Sequence, residues 1–155
     1  MDFVVSKVAM SACALMVVTI LAGMVEQGML FDDRSELEGI VRQFCSLAGR
    51  MMTTGSEAKV GWTVPSLADG QGIEFRVERR VVTGKADEMA SKMQPMFDIH
   101  TWEWDGRGLN ESVIASFDGA SPGIVAVSGR TVFLEASSVI LDDEPRLLLF
   151  ASLPA

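Results

Sequence analysis

Leu37–Val64, LEGIVRQFCSLAGRMMTTGSEAKVGWTV, contains the change of period that decides the fold. In its first part Leu37, Ile40, Val41, Phe44, Leu47, Ala48, Met51 and Met52 recur at three- and four-residue intervals. Glu36, Glu38, Arg42, Gln43 and Arg50 take the opposite side, which is the pattern of a helix with one buried stripe. Thr53-Thr54-Gly55 ends it, Gly55 being suited to a left-handed cap. Past that point the period drops to two, and Val60, Trp62 and Val64 alternate until Pro65 stops the run, as in a strand with one buried face.

Towards the C-terminus the period of two persists. Ile73, Phe75 and Val77 alternate with Glu74, Arg76 and Glu78, and Val81-Val82 is read as a continuation of that strand. Met89 to Met96, with Pro95 near its end, reads as a short helix or irregular crossing. His100, Trp102 and Trp104 share one face of a further strand, closed by Asp105-Gly106-Arg107-Gly108. Val113, Ala115 and Phe117 alternate next, followed by strands at Ile124 to Val127, Thr131 to Leu141 and Arg146 to Ser152, the last two joined by Asp142-Asp143-Glu144-Pro145. Short strands punctuated by Gly and Pro predict an α+β fold: an amphipathic helix followed by a small antiparallel sheet or sandwich.

Towards the N-terminus the chain turns apolar. Val8 to Val25, VAMSACALMVVTILAGMV, holds no charged residue. At a rise of about 1.5 Å per residue, Phe3 to Val25 is long enough to cross a hydrocarbon layer of about 30 Å. A cleaved secretory signal fits less well, because Lys7 is the only cation before the run and Leu21 to Glu26 offers no small-x-small exit. A lipoprotein reading at Cys13 has almost no hydrophobic segment before it, and a buried core helix has no second segment of similar apolarity to pack against. Lys7 on one flank and Glu26, Asp32, Asp33, Arg34, Glu36 and Glu38 on the other favour a span with the N-terminus cytoplasmic. The expected organisation is therefore a transmembrane anchor over 1–27, an amphipathic helix over 28–55 and an extracytoplasmic β-rich domain over 56–155. Gly28 decides whether the two helices run on as one, at about 1 kcal/mol relative to Ala.

Composition narrows the partners. A chain of 155 residues with its two helices removed leaves about a hundred for one small domain. The net charge of −8 argues against nucleic acid, which demands clustered Lys and Arg. Cys13 and Cys45 fall in separate parts of the helical region, too far apart for a disulfide if the helix is continuous. Catalytic groups are scarce, with one His and no Tyr. His100 is read as a packed residue. Ser56-Glu57-Ala58-Lys59 has the S-x-x-K form of serine acyl enzymes but follows a helix end instead of opening a helix. Asp142, Asp143 and Glu144 lack the ligand spacing of a calcium loop, and neither zinc-ligand clusters nor a phosphate-cradling Gly motif occurs. No catalytic, cofactor-binding or metal-binding residue is assigned and no cofactor is expected. Asn110-Glu111-Ser112 is a glycosylation sequon, and Trp62, Trp102 and Trp104 are read as core in preference to a ligand-stacking face.

An apolar N-terminal helix, an amphipathic helix and a small β-domain in that order resemble the plan of type IV pilins and pseudopilins. Val4 to Met10, the run through Ala22-Gly23-Met24-Val25, and Val64-Pro65-Ser66-Leu67 ahead of Gly72 to Val77 are similar to archaeal pilin-like secreted proteins. Only Met1 and Asp2 precede Phe3, so the expectation is an unprocessed, minor or pseudopilin-like subunit. The resemblance implies a non-enzymatic subunit of a cell-surface filament or secretion assembly, with membrane lipid and like helices as partners through the N-terminal helix. The alternative is a membrane-tethered ligand-binding or sensory domain of unknown small-molecule ligand.

Overall fold

The computed structural model describes residues 32–103, 123–141 and 143–154. The apolar run Val8 to Val25, Cys13, Trp104, the Asn110 sequon and the Val113-Ala115-Phe117 alternation lie outside them. Among the described residues, helix α1 (32–53) is followed by eight strands. These are β1 (Ala58–Thr63), β2 (Glu74–Val77), β3 (Val82–Ala86), β4 (Met89–Met93), β5 (Ile99–Glu103), β6 (Ile124–Val127), β7 (Thr131–Leu141) and β8 (Glu144–Leu153). They form two four-stranded sheets, β1-β7-β8-β5 (sheet A) and β4-β3-β2-β6 (sheet B). The fold is α+β, and Glu36–Ala155 makes one compact unit. Among the described residues no helix is long and apolar enough to cross a membrane.

The stripe read from the sequence is the one α1 buries: Leu37, Val41 and Phe44 are fully covered, and Ile40, Cys45, Ala48 and Met51 nearly so. On its outer side Arg42 donates to Glu38 one turn back, at 2.9 Å. The end is capped three ways. Thr53 Oγ1 donates to the Arg50 carbonyl at 3.0 Å, Thr54 Oγ1 to that of Met51 at 2.7 Å, and Gly55, at φ 68°, donates its N–H to Met52 at 3.2 Å.

Helix and sheets share one core. Phe44 meets the ring of Trp62 in β1 at 4.9 Å and that of Phe75 in β2 at 5.0 Å, while Trp62 and Phe75 lie 4.8 Å apart. Edge and tilted contacts of this kind add to the stabilisation from burying area alone. A residue from each sheet and one from the helix thus meet at a single point. Gly84 in β3 lies directly beneath α1, where a Cβ would stand 2.9 Å from Val41 Cγ2 and 3.0 Å from Leu37 Cδ1.

Ser128, between β6 and β7, makes the second tie. Its Oγ accepts from Ile73 N at 2.7 Å and donates to the Pro65 carbonyl at 2.8 Å, and its N–H donates to the Ile73 carbonyl at 2.9 Å. Polar backbone at the entry to β2 is satisfied this way inside the body.

Four sequence expectations change. Val81-Val82 does not prolong the strand before it; Glu78 N donates to the Val81 carbonyl at 2.9 Å, and the chain reverses so that Val77 faces Val82. Met89 to Met93 is strand β4, neither a short helix nor an irregular crossing, because Ala86 pairs with Met89 across a two-residue turn whose first residue, Asp87, has φ 48°. The sheets are not wholly antiparallel: β5 runs parallel to β8, with Ile99 opposite Leu149 and Glu103 opposite Leu153. The β7–β8 turn is also tighter than read, with Leu141 facing Glu144 and Pro145 already within β8.

Candidate functional site

Sheet B buries one face and opens the other. Phe75, Val77, Val82, Gly84, Ala86, Ile124 and Ala126 turn inward. The alternate positions turn outward and line a depression of about 370 Å³. Glu74, Arg76 and Glu78 come from β2 and its exit, Thr83 and Lys85 from β3, and Ala90 and Lys92 from β4. Register sets Glu74 across from Lys85, and Thr83 between Arg76 and Lys92. On the far side, Val125 and Val127 of β6 pair with Arg76 and Glu74, and their side chains are exposed.

Three cations and two carboxylates therefore face one solvent-open hollow. Arg76 and Glu78 are 3.9 Å apart, and among the described residues neither Lys85 nor Lys92 forms an ion pair. In a chain of net charge −8, a surface with more cations than anions attracts carboxylate groups.

A corner joins this face to sheet A. Asp98 accepts from Arg79 Nε at 2.9 Å and from Arg80 Nε at 3.3 Å, and Ile99 N donates to the Arg79 carbonyl at 2.9 Å. Desolvation pulls the Asp98 carboxyl upward, but the hydrogen bond from Arg79 and the charges of Arg80 and Arg79 outweigh it and hold it below its ordinary range. Two residues on, His100 is buried with its ring 5.8 Å from that of Phe150. Burial and the Arg79 charge lower its pKa against the upward pull of Asp98. A neutral, packed imidazole is the result, in line with its reading as a packed residue.

The remaining sequence candidates are dispersed. Ser56 sits in an exposed bend while Lys59 belongs to β1, with its ammonium 3.9 Å from Glu135 and 5.6 Å from the centre of the Phe133 ring. The helical turn that an S-x-x-K base needs is missing there. Cys45 is buried, and desolvation pushes its thiol up to about 11. Trp62 is half-buried in the aromatic cluster. Among the described residues no group of three or more His, Cys, Asp or Glu could hold a metal ion.

The hollow on sheet B escapes the sequence reading because Met89 to Met96 reads as a short helix or irregular crossing, which leaves Lys92 and Ala90 out of the sheet. Its signal was present in the alternation of Glu74, Arg76 and Glu78 with buried residues, and in the Asp87-Glu88 turn that pairs β3 with β4. Compared with known proteins, the chain matches no family model, and neither a curated protein nor a solved structure gives a significant match.

Proposed function

We propose that this chain is a non-enzymatic, single-pass, pilin-like or pseudopilin-like subunit of a cell-surface filament or secretion assembly. In this reading Val8 to Val25 spans the membrane, the N-terminus is cytoplasmic and the β-rich body is extracytoplasmic. The supporting observation is how apolar surface is distributed. The stripe of α1 is taken up by its own body, with Leu37, Val41 and Phe44 each 0% exposed, so α1 has little apolar surface left for lipid or a partner. The uncharged run before it is the stretch suited to lipid and to like helices. Ser11, Ala12, Ala14, Ala22 and Gly23 within it permit close helix approach, which drives association where the hydrophobic effect is absent. Trp62 weighs in the same direction, because its half-buried ring is engaged in packing with Phe44 and Phe75.

Crosslinking of the full chain in its membrane tests the proposal. Ala14→Trp or Ala22→Trp lowers the yield of crosslinked oligomer, whereas an unchanged yield removes this helix as the assembly surface. A membrane-tethered binding domain is the second reading, favoured by the hollow on sheet B.

A further inference from the structure

We infer that the tip of the β7–β8 hairpin of one copy docks on the outer face of sheet B of the next, so that the bodies associate head to tail. The inference rests on the subunit reading above and names the surfaces through which the bodies touch.

The tip projects. β1 accompanies β7 only as far as Ala136, and β5 accompanies β8 only from Leu149, so Ser137 to Leu148 has no flanking strand among the described residues. At its end Ile140 is 75% exposed, opposite Pro145, and Asp143, Glu144 and Arg146 are exposed beside it. Glu144 and Arg146 are 3.8 Å apart.

The outer face of sheet B has matching features. Val127 is 55% exposed and Val125 43%, giving an apolar strip next to the hollow. Lys85 and Lys92 offer cations to Asp143 and Glu144, and Glu74 offers a carboxylate to Arg146. Symmetric pairings are poorer. Asp143, Glu144 and Arg146 leave each tip net negative and Arg76, Lys85, Lys92, Glu74 and Glu78 leave each face net positive, so like pairings set like net charge together and only tip on face opposes them. Complementary but different surfaces give a heterologous contact, which propagates into a ring or a filament.

The test uses two full-length copies with different tags, both Cys13→Ser, co-expressed in membranes and oxidised. One copy carries Ile140→Cys and the other Val127→Cys. Cys45 stays, since its buried thiol is kept protonated. The expected result is a mixed-tag disulfide dimer, with little product from Ile140→Cys in both copies. Adding Lys85→Glu and Lys92→Glu to the Val127→Cys copy lowers the mixed product about fivefold, and Asp143→Lys with Glu144→Lys in the other copy restores it. An Ala14→Cys pair in the same background separates the two ideas. If that pair crosslinks and the tip pair does not, the docking is overturned and the subunit reading stands; if neither crosslinks, both fall. Equal yield from Ile140→Cys in both copies overturns the head-to-tail arrangement.

Discussion

Sheet B separates its two faces; the β8–β5 half of sheet A does not. Along β2, β3 and β6 every second residue is buried and its neighbours are open, so this sheet presents a charged surface to solvent. In β8 the consecutive residues Leu149, Phe150, Ala151 and Ser152 are all buried, as are Ile99, His100 and Thr101 in β5. The difference shows which strands keep a face open to a partner. A strand covered on both sides contributes to stability and little else, whereas a one-sided sheet leaves a row of side chains free to meet a partner.

Breaking the point where the sheets meet has the largest expected effect. Phe44→Ala removes the ring that touches Trp62 of sheet A and Phe75 of sheet B and costs about 3–5 kcal/mol in urea denaturation, with both sheets lost in one transition. Two separate transitions would mean that the sheets do not share a core. Next comes a like-for-like change on the two outer faces. Ser152→Lys puts a charge in a position only 5% exposed and costs about 3 kcal/mol or more, while Thr83→Lys on sheet B changes stability by no more than about 0.5 kcal/mol. Similar losses at the two sites would erase the distinction between the faces.

Gly84→Ala sharpens the account of the inner face. The new methyl meets Val41 and Leu37 and costs about 1–3 kcal/mol, part of which returns in combination with Val41→Ala. Strict additivity in that double-mutant cycle contradicts the close approach of α1 to β3.

Acid titration of His100 gives the smallest effect. Its pKa in the folded protein lies below the ordinary 6.5, so the unfolded chain takes up the proton first. Stability is fully present above pH 6.5 and is lost as pH falls through the folded value. Denaturation across that window shows a positive slope of stability with pH, and His100→Gln flattens it. Asp98, also lowered, acts in the same direction but below the ordinary carboxyl value of 3.8, outside the His window.

How much of this was legible followed from the same contrast. Alternation marked β2, β6 and the inner face of β1, because a sheet with one wet face writes its period into the sequence. The α1 stripe was equally plain, and so was its end at Gly55, where φ 68° suits a residue without Cβ. β8 was found mostly by its turn, since Leu147 to Phe150 has no alternation to read. β4 was lost because Met89, Ser91 and Met93 are only half-buried at the sheet edge and alternate weakly with Ala90 and Lys92. The parallel partnership of β5 with β8 depends on tertiary placement, which local pattern does not encode. The hollow combined both difficulties, since it is assembled from three strands of which one was misread.

The central claim is that an uncharged N-terminal run holds a stable α+β body at a membrane, and alkaline carbonate extraction of cells expressing the full chain tests it most directly. The account predicts that the protein stays in the membrane pellet and is released only by detergent. Recovery as a monomer in the aqueous supernatant without detergent would contradict it.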